Sequence, residues 1–222
     1  MTALLSVRGL CASYESRSLG FAGRRVARQV LRDFNLEMAQ GEILGIMGPS
    51  GCGKTTLARC ILGLMPFEGR IVIDGLAQDG KHRPAMARKV GAVFQEPGGS
   101  LNPRMRIGRI LEEPLRGLPR AEREALARET LGMVGLDPDL AGRFPAELSA
   151  GQKQRAAIAS ALTLRPRLLT ADEALSSLDL SAAAQLASLF QDLRQRLGIG
   201  ILFITHDPDL AACLCDRVIT LG

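Results

Sequence analysis

The chain has 222 residues, 46% of them hydrophobic and 23% charged, which excludes disordered, collagen-like and coiled-coil classes. A membrane-spanning helix needs about 20 apolar residues, yet the longest uncharged stretches run only from Leu180 to Gln191 and from Ile43 to Gly53, and no basic segment followed by an apolar one opens the chain as a secretory signal would. The net charge of +5 comes from 24 Arg and 4 Lys spread along the sequence, with one Tyr and no Trp, so nucleic acid is not an expected partner.

In chain order, strands are expected at Leu4–Val7, Val30–Met38 and Glu42–Met47, a helix at Thr55–Leu64, and further strands at Arg70–Asp74 and Val90–Phe94. The stretch from Tyr14 to Gln29, basic and glycine-containing, reads as a loop between the first two strands. From Ile107 to about Leu164 no strand pattern occurs; helical stretches are broken by Pro114, Pro119, Pro138 and Pro145. Strands follow at Arg167–Asp172, Gly200–Thr205 and Arg217–Leu221, nearly all apolar, as expected where helices cover both sheet faces. Between the first two of these, Leu186, Leu189, Phe190, Leu193 and Leu197 fall at helical spacing, with Ser181 near the start and Gly198 just past the end. The pattern predicts a single α/β domain, 1–222, with a helical subdomain inserted at about 97–164.

Five cysteines (Cys11, Cys52, Cys60, Cys213, Cys215) with no CxxC pair argue against a disulfide framework or a zinc site and for a reducing compartment. Cys213 and Cys215, on an expected helix-to-strand connection, read as core or neutral positions.

The strongest chemical signal is Gly48-Pro49-Ser50-Gly51-Cys52-Gly53-Lys54-Thr55, which fits GxxxxGK[ST] between an apolar strand and a helix. Glycines let such a loop wrap phosphate, and successive backbone N–H groups with the helix N-terminus supply donors. Lys54 would reach the β- and γ-phosphates and Thr55 would hold Mg²⁺. A second signal is Leu168-Leu-Thr-Ala-Asp172-Glu173, an apolar strand ending in two carboxylates. Asp172 suits the Mg²⁺ role, and Glu173 could polarise the attacking water.

A third motif narrows the reading. Leu148-Ser149-Ala150-Gly151-Gln152, just before the Asp172 strand, resembles the signature motif of ATP-binding cassette (ABC) proteins. Gln95 in Val-Phe-Gln-Glu, Ser176-Ser-Leu-Asp179 and His206 in Phe-Ile-Thr-His-Asp follow the order of that family's Q-loop, D-loop and switch histidine, and Tyr14 stands where an aromatic ring stacks on adenine. The resemblance implies a P-loop (RecA-like) ABC nucleotide-binding domain with an N-terminal antiparallel β portion. It also implies ATP and Mg²⁺ as ligands, with Gln95 beside the metal and Thr56 beside the nucleotide. Glu173, His206 and Gln95 would serve hydrolysis, while Ser149, Gly151 and Gln152 would act on the nucleotide of a second subunit, with Asp179 at the same interface.

Phe94-Gln-Glu-Pro-Gly-Gly-Ser-Leu-Asn-Pro-Arg104 and Ile110-Leu-Glu-Glu-Pro-Leu115 are similar to the ATPase subunits of bacterial peptide and nickel importers. Ala174, where most of the family has Pro, points within that group to nickel or a metal chelate, with di- and oligopeptides as the alternative. This implies separate transmembrane permease subunits, docked near Gln95 to Arg106, and a second, non-identical ATPase. A periplasmic or extracellular solute-binding protein would act indirectly, and the chain would sit peripherally on the cytoplasmic face of the inner membrane. A soluble ABC ATPase acting on nucleic acid or ribosomes is the other class considered, but such chains carry two cassettes or a long coiled-coil insertion. Ala150 departs from the family's usual Gly and adds one Cβ near the second subunit's phosphate.

Overall fold

A computed structural model describes residues 3–17, 25–79, 82–94, 101–175 and 179–222. The apolar runs pair into two sheets. Strands β1 (Leu5–Arg17), β2 (Arg25–Met38), β4 (Glu68–Ile73) and β5 (Leu76–Ala77) form an antiparallel sheet in the order β2-β1-β4-β5. Strands β3 (Ile43–Met47), β6 (Val90–Val93), β7 (Leu168–Asp172), β8 (Gly200–Ile204) and β9 (Arg217–Thr220) form a parallel sheet in the order β6-β7-β8-β3-β9. Helices α1 (Lys54–Ile61), α2 (Arg83–Lys89), α3 (Ile107–Glu112), α4 (Arg120–Met133), α5 (Ala150–Leu162), α6 (Leu180–Leu197) and α7 (Pro208–Leu214) complete the described elements, with short 3₁₀ turns at Glu113–Leu115, Pro138–Gly142 and Pro145–Glu147. This is the α/β architecture expected from the sequence.

Period-two alternation in the central strands divides the core. In β8, Ile201 and Phe203 face a cluster with α3, α4, α5 and α6, whereas Leu202 and Ile204 face one with α1 and the antiparallel sheet. Phe190 of α6 meets Phe203 edge to face, with ring centroids 6.2 Å apart and planes at 63°. Asp179 caps α6 by accepting from the Ala182 amide at 2.8 Å, and Gly198, at φ 62°, closes its other end.

The region from α3 to α5 contains helices and 3₁₀ turns, and the four prolines explain its segmentation. Pro119 stands at the N-cap of α4, and Pro114, Pro138 and Pro145 stand in the first turn of a 3₁₀ segment, where a missing N–H costs no bond. No described helix is long and apolar enough to cross a membrane.

Three sequence expectations need correction. Tyr14 to Gln29 is not simply a loop: β1 continues to Arg17 and β2 begins at Arg25, in register from Ser13↔Gln29 to Arg17↔Arg25, with 18–24 outside the described residues. The first helix ends at Ile61 rather than Leu64, because Gly63 turns the chain at φ 68°. Cys213 lies within α7 and is exposed rather than on the helix-to-strand connection; Cys215 is on that connection as expected, half-buried against the core, where burial with Asp216 alongside pushes its thiol up to about 11. Helix α2 and strand β5 carry too few apolar positions to have been anticipated.

Phe190 and Phe203 are both fully buried. Phe190→Ala should therefore lower the unfolding free energy by about 3–5 kcal/mol in urea titrations; a loss under about 1 kcal/mol would mean that this ring pair does not anchor α6 to β8 in their shared cluster.

Candidate nucleotide site

The parallel register brings three strand ends together. Ile46 of β3 and Asp172 of β7 are both level with Ile204 of β8. The Thr205 amide donates to Ile46 O at 3.2 Å and the Glu173 amide to Ile204 O at 2.9 Å. Crevices at the carboxyl edge of parallel strands are where open α/β sheets bind ligands.

Beyond β3 the chain turns through Gly48 and into α1 at Gly53. Gly48 has φ 149°, and a Cβ there would lie 2.3 Å from Leu221 O. Gly53 has φ 114°, and its Cβ would press on Leu31 and Val30 at 2.9 and 3.0 Å. Neither position tolerates a side chain, so the loop's path depends on glycine. Lys54 is buried, and its ammonium donates to Gly48 O at 2.7 Å and Pro49 O at 3.1 Å. Cys52 is half-buried in the turn, where its amide donates to Pro49 O at 3.3 Å.

A cleft of about 430 Å³ opens over this loop, lined by Tyr14, Arg28, Val30, Ser50, Gly51, Gly53, Lys54, Thr55, Thr56 and Glu173. Tyr14 is 39% exposed. Its hydroxyl accepts from Thr56 Oγ1 at 3.2 Å and from Arg59 at 3.5 Å, which ties β1 to α1 and fixes the ring beside the loop.

Asp172 is buried, and its Oδ1 has no hydrogen-bond partner. Burial pushes its carboxyl up; a hydrogen bond from the Thr55 hydroxyl draws it down, the Glu173 charge pushes it up again, and Arg59 and Lys54 oppose that. A buried carboxylate oxygen without a partner is costly and calls for a cation. Glu173 adopts φ 50°, in the left-handed region, unusual for a residue with a side chain. Its Oε1 lies 3.5 Å from Nδ1 of His206, just past β8. The loop after His206 is held by Asp207, which caps α7 by accepting from the amides of Asp209 (2.9 Å) and Leu210 (3.2 Å).

The signature segment lies apart from this cleft. Ser149 caps α5 and exchanges bonds with Gln152: Ser149 Oγ accepts from the Gln152 amide at 3.3 Å, and Gln152 Oε1 accepts from the Ser149 amide at 2.9 Å. Ala150 and Gly151 occupy the first helical positions, Ala150 exposed and Gly151 with open space where a Cβ would stand. Among the described residues, Ser149, Gly151, Gln152 and Asp179 do not line the cleft. Gln95 and Ser176 to Leu178 lie outside the described residues.

Sequence reading missed three contributors. Arg28 and Val30 reach the cleft because β2 pairs with β1 alongside Tyr14; reading Tyr14 to Gln29 as a loop hid Arg28, and Val30 was read only as the start of a strand. Gln154, fully buried in α5, donates to Ala174 O at 2.5 Å and so pins the backbone just after Glu173. A glutamine among Ala156, Ala157 and Ile158 on a buried helix face was the available signal.

A left-handed Glu costs about 1–3 kcal/mol, partly offset by the entropy that Gly loses on folding. Glu173→Gly should accordingly raise the unfolding free energy by about 1 kcal/mol while removing the carboxylate. A drop of that size instead would show that the side chain's contacts outweigh the backbone strain.

Comparison with known proteins agrees with this geometry. The family described as ABC transporter matches residues 31–176. A putative peptide import ATP-binding protein of Brucella ovis is 43% identical over 99% of this chain and 69% of its own. The nickel import ATP-binding protein NikE of Rhodospirillum rubrum is 42% identical over 100% of this chain and 82% of its own. Among solved structures, cbiO1 of Clostridium perfringens, part of the cbiONQ ABC transporter complex, superposes with a TM-score of 0.85 at 27% identity, covering 100% of this chain and 86% of that one. A dimeric ATP-binding cassette in a post-hydrolysis state, bound to ADP and Pi, superposes with a TM-score of 0.82 at 30% identity, covering 98% and 94%. With a glycine-shaped phosphate loop beside a two-carboxylate strand end, on a fold shared with these cassettes, the chain belongs to the ABC transporter family as one of its ATP-hydrolysing subunits.

Proposed function

We propose that this chain powers import of nickel or a metal chelate, docked on separate permease subunits at the cytoplasmic face of the inner membrane and paired with a second, non-identical cassette. The observation that carries the ATPase chemistry is the meeting of Lys54 and Thr55 with Asp172 and Glu173 at one sheet edge. Glycine-turned backbone and Lys54 bind the β- and γ-phosphates, Lys54 exchanging its two loop carbonyls for phosphate oxygens. The Tyr14 ring takes the base. Glu173 orients the attacking water and accepts its proton, and His206, 3.5 Å away, holds the carboxylate's position. Gln95 is assigned beside the metal and the water by family resemblance.

Mg²⁺ fits here: Thr55 offers a hydroxyl, Asp172 a carboxylate whose buried Oδ1 has no partner. Thr55 and Asp172 would hold the ion, with phosphate oxygens and water supplying the remaining positions, as Mg²⁺ prefers. When bound, the ion would neutralise charge on the β- and γ-phosphates.

Ser149, Gly151 and Gln152 are assigned to the γ-phosphate of the partner cassette, and Asp179 to the same interface. Their position outside the chain's own cleft supports this, and one structural neighbour is described as a dimer bound to ADP and Pi. The permease-docking surface is assigned near Gln95 to Arg106, at the start of the helical region taken as a subdomain at 97–164.

Import is supported by the relatives' names, and nickel by the NikE relative together with Ala174, buried directly after the two acids. Peptide import is the second reading, favoured by the 43% identical Brucella relative. Uptake of radiolabelled nickel and of a labelled dipeptide, measured in the source cells with and without a functional copy of this chain, separates the two. Loss of nickel uptake alone supports the first reading, and loss of dipeptide uptake alone replaces it with the second.

In the assembled transporter, Glu173→Gln should keep ATP binding and lower turnover by ~10²–10⁴, whereas Lys54→Ala should weaken binding itself. ATP turnover by Glu173→Gln at the parental rate would remove Glu173 from the role of base.

A further inference from the structure

The cleft carries a cation that neither the phosphate loop nor the two-acid strand explains. Arg28 of β2 is directly opposite Tyr14 of β1 in the antiparallel register. Directly opposed residues project their side chains from the same sheet face, with Cβ atoms about 4.5–5.5 Å apart. Arg28 is exposed and lines the same cleft as Lys54, Thr55 and Glu173. Several exposed arginines find carboxylates, Arg8 with Glu37, Arg116 with Glu113 and Arg120 with Glu124, while others such as Arg32 stay solvated away from the cleft. Among the described side chains, none pairs with Arg28.

We propose that Arg28 is a nucleotide-binding residue that contacts the α-phosphate of the bound nucleoside di- or triphosphate. This rests on the nucleotide reading given above. With the base on Tyr14 and the β- and γ-phosphates on Lys54 and the loop amides, the α-phosphate comes between them. Arg28 stands beside Tyr14 on the phosphate-loop side of the sheet. A guanidinium offers a planar pair of donors that matches two phosphate oxygens. It also offsets the Glu173 carboxylate, which faces the same cleft and would otherwise repel a polyphosphate.

The test is equilibrium binding of ATP, ADP and GTP to the full chain at physiological salt. Arg28→Gln, a polar replacement at an exposed strand position, should weaken all three by about five- to tenfold, a charge-assisted contact reduced by solvent screening. Arg28→Lys should recover part of the loss, and Arg32→Gln, on the same strand but outside the cleft, should change affinity less than twofold. Equal loss for ATP and GTP is expected because a phosphate contact is blind to the base; unequal loss would place Arg28 on the base and overturn the assignment. Affinities within twofold of the parent for Arg28→Gln, with binding lost in Lys54→Ala, would overturn the Arg28 assignment and leave the nucleotide site standing. If Lys54→Ala also bound normally, the nucleotide reading itself would fall.

Discussion

Everything at the site depends on the shared register of three parallel strands. With Ile46, Ile204 and Asp172 in one row, the phosphate loop, the two acids and His206 leave the sheet at the same level. A one-residue slip in β7 would turn Asp172 to the other face of the sheet. The register is held from both sides: Leu168, Leu202 and Ile204 pack on one face and Leu169, Ala171, Ile201 and Phe203 on the other. Burial on both faces is why these strands read as continuous apolar runs.

Two costs are concentrated at that edge. Asp172 holds a carboxylate oxygen buried without a hydrogen bond, and Glu173 holds a left-handed backbone. Neither would persist in a site selected for stability alone, and the surrounding contacts over-determine both. Ala174 O, two residues past Asp172, is gripped by Gln154 from the signature helix, and the Glu173 amide is bonded to β8. The signature helix therefore connects mechanically to the two acids of its own chain, while its N-terminus is directed to another nucleotide in the proposed dimer.

The apolar strands of the parallel sheet were legible almost to the residue, since their burial leaves a plain signal. The phosphate loop and the two acids were equally plain, because glycines, a lysine and paired carboxylates at this spacing rarely arise by chance. The β1–β2 hairpin was not. Leu5 and Val7 set a period of two that slips at Gly9, φ 58°, so that Leu10 and Ala12 resume it out of phase. Beyond Ala12 both strands are largely polar, and the alternation disappears. Gln154 was hidden for a different reason: its value lies in a contact with Ala174, 20 residues away.

The central claim is that the ends of β3, β7 and β8, with Tyr14, form one nucleotide site. Amide hydrogen exchange of the full chain, with and without MgATP, tests it directly. Exchange should slow in three separated segments: the loop from Gly48 to Thr56, the turn at Asp172 to Ala174, and the turn at Thr205 to His206. Slowing confined to the glycine loop, with the other two turns unchanged, would contradict it.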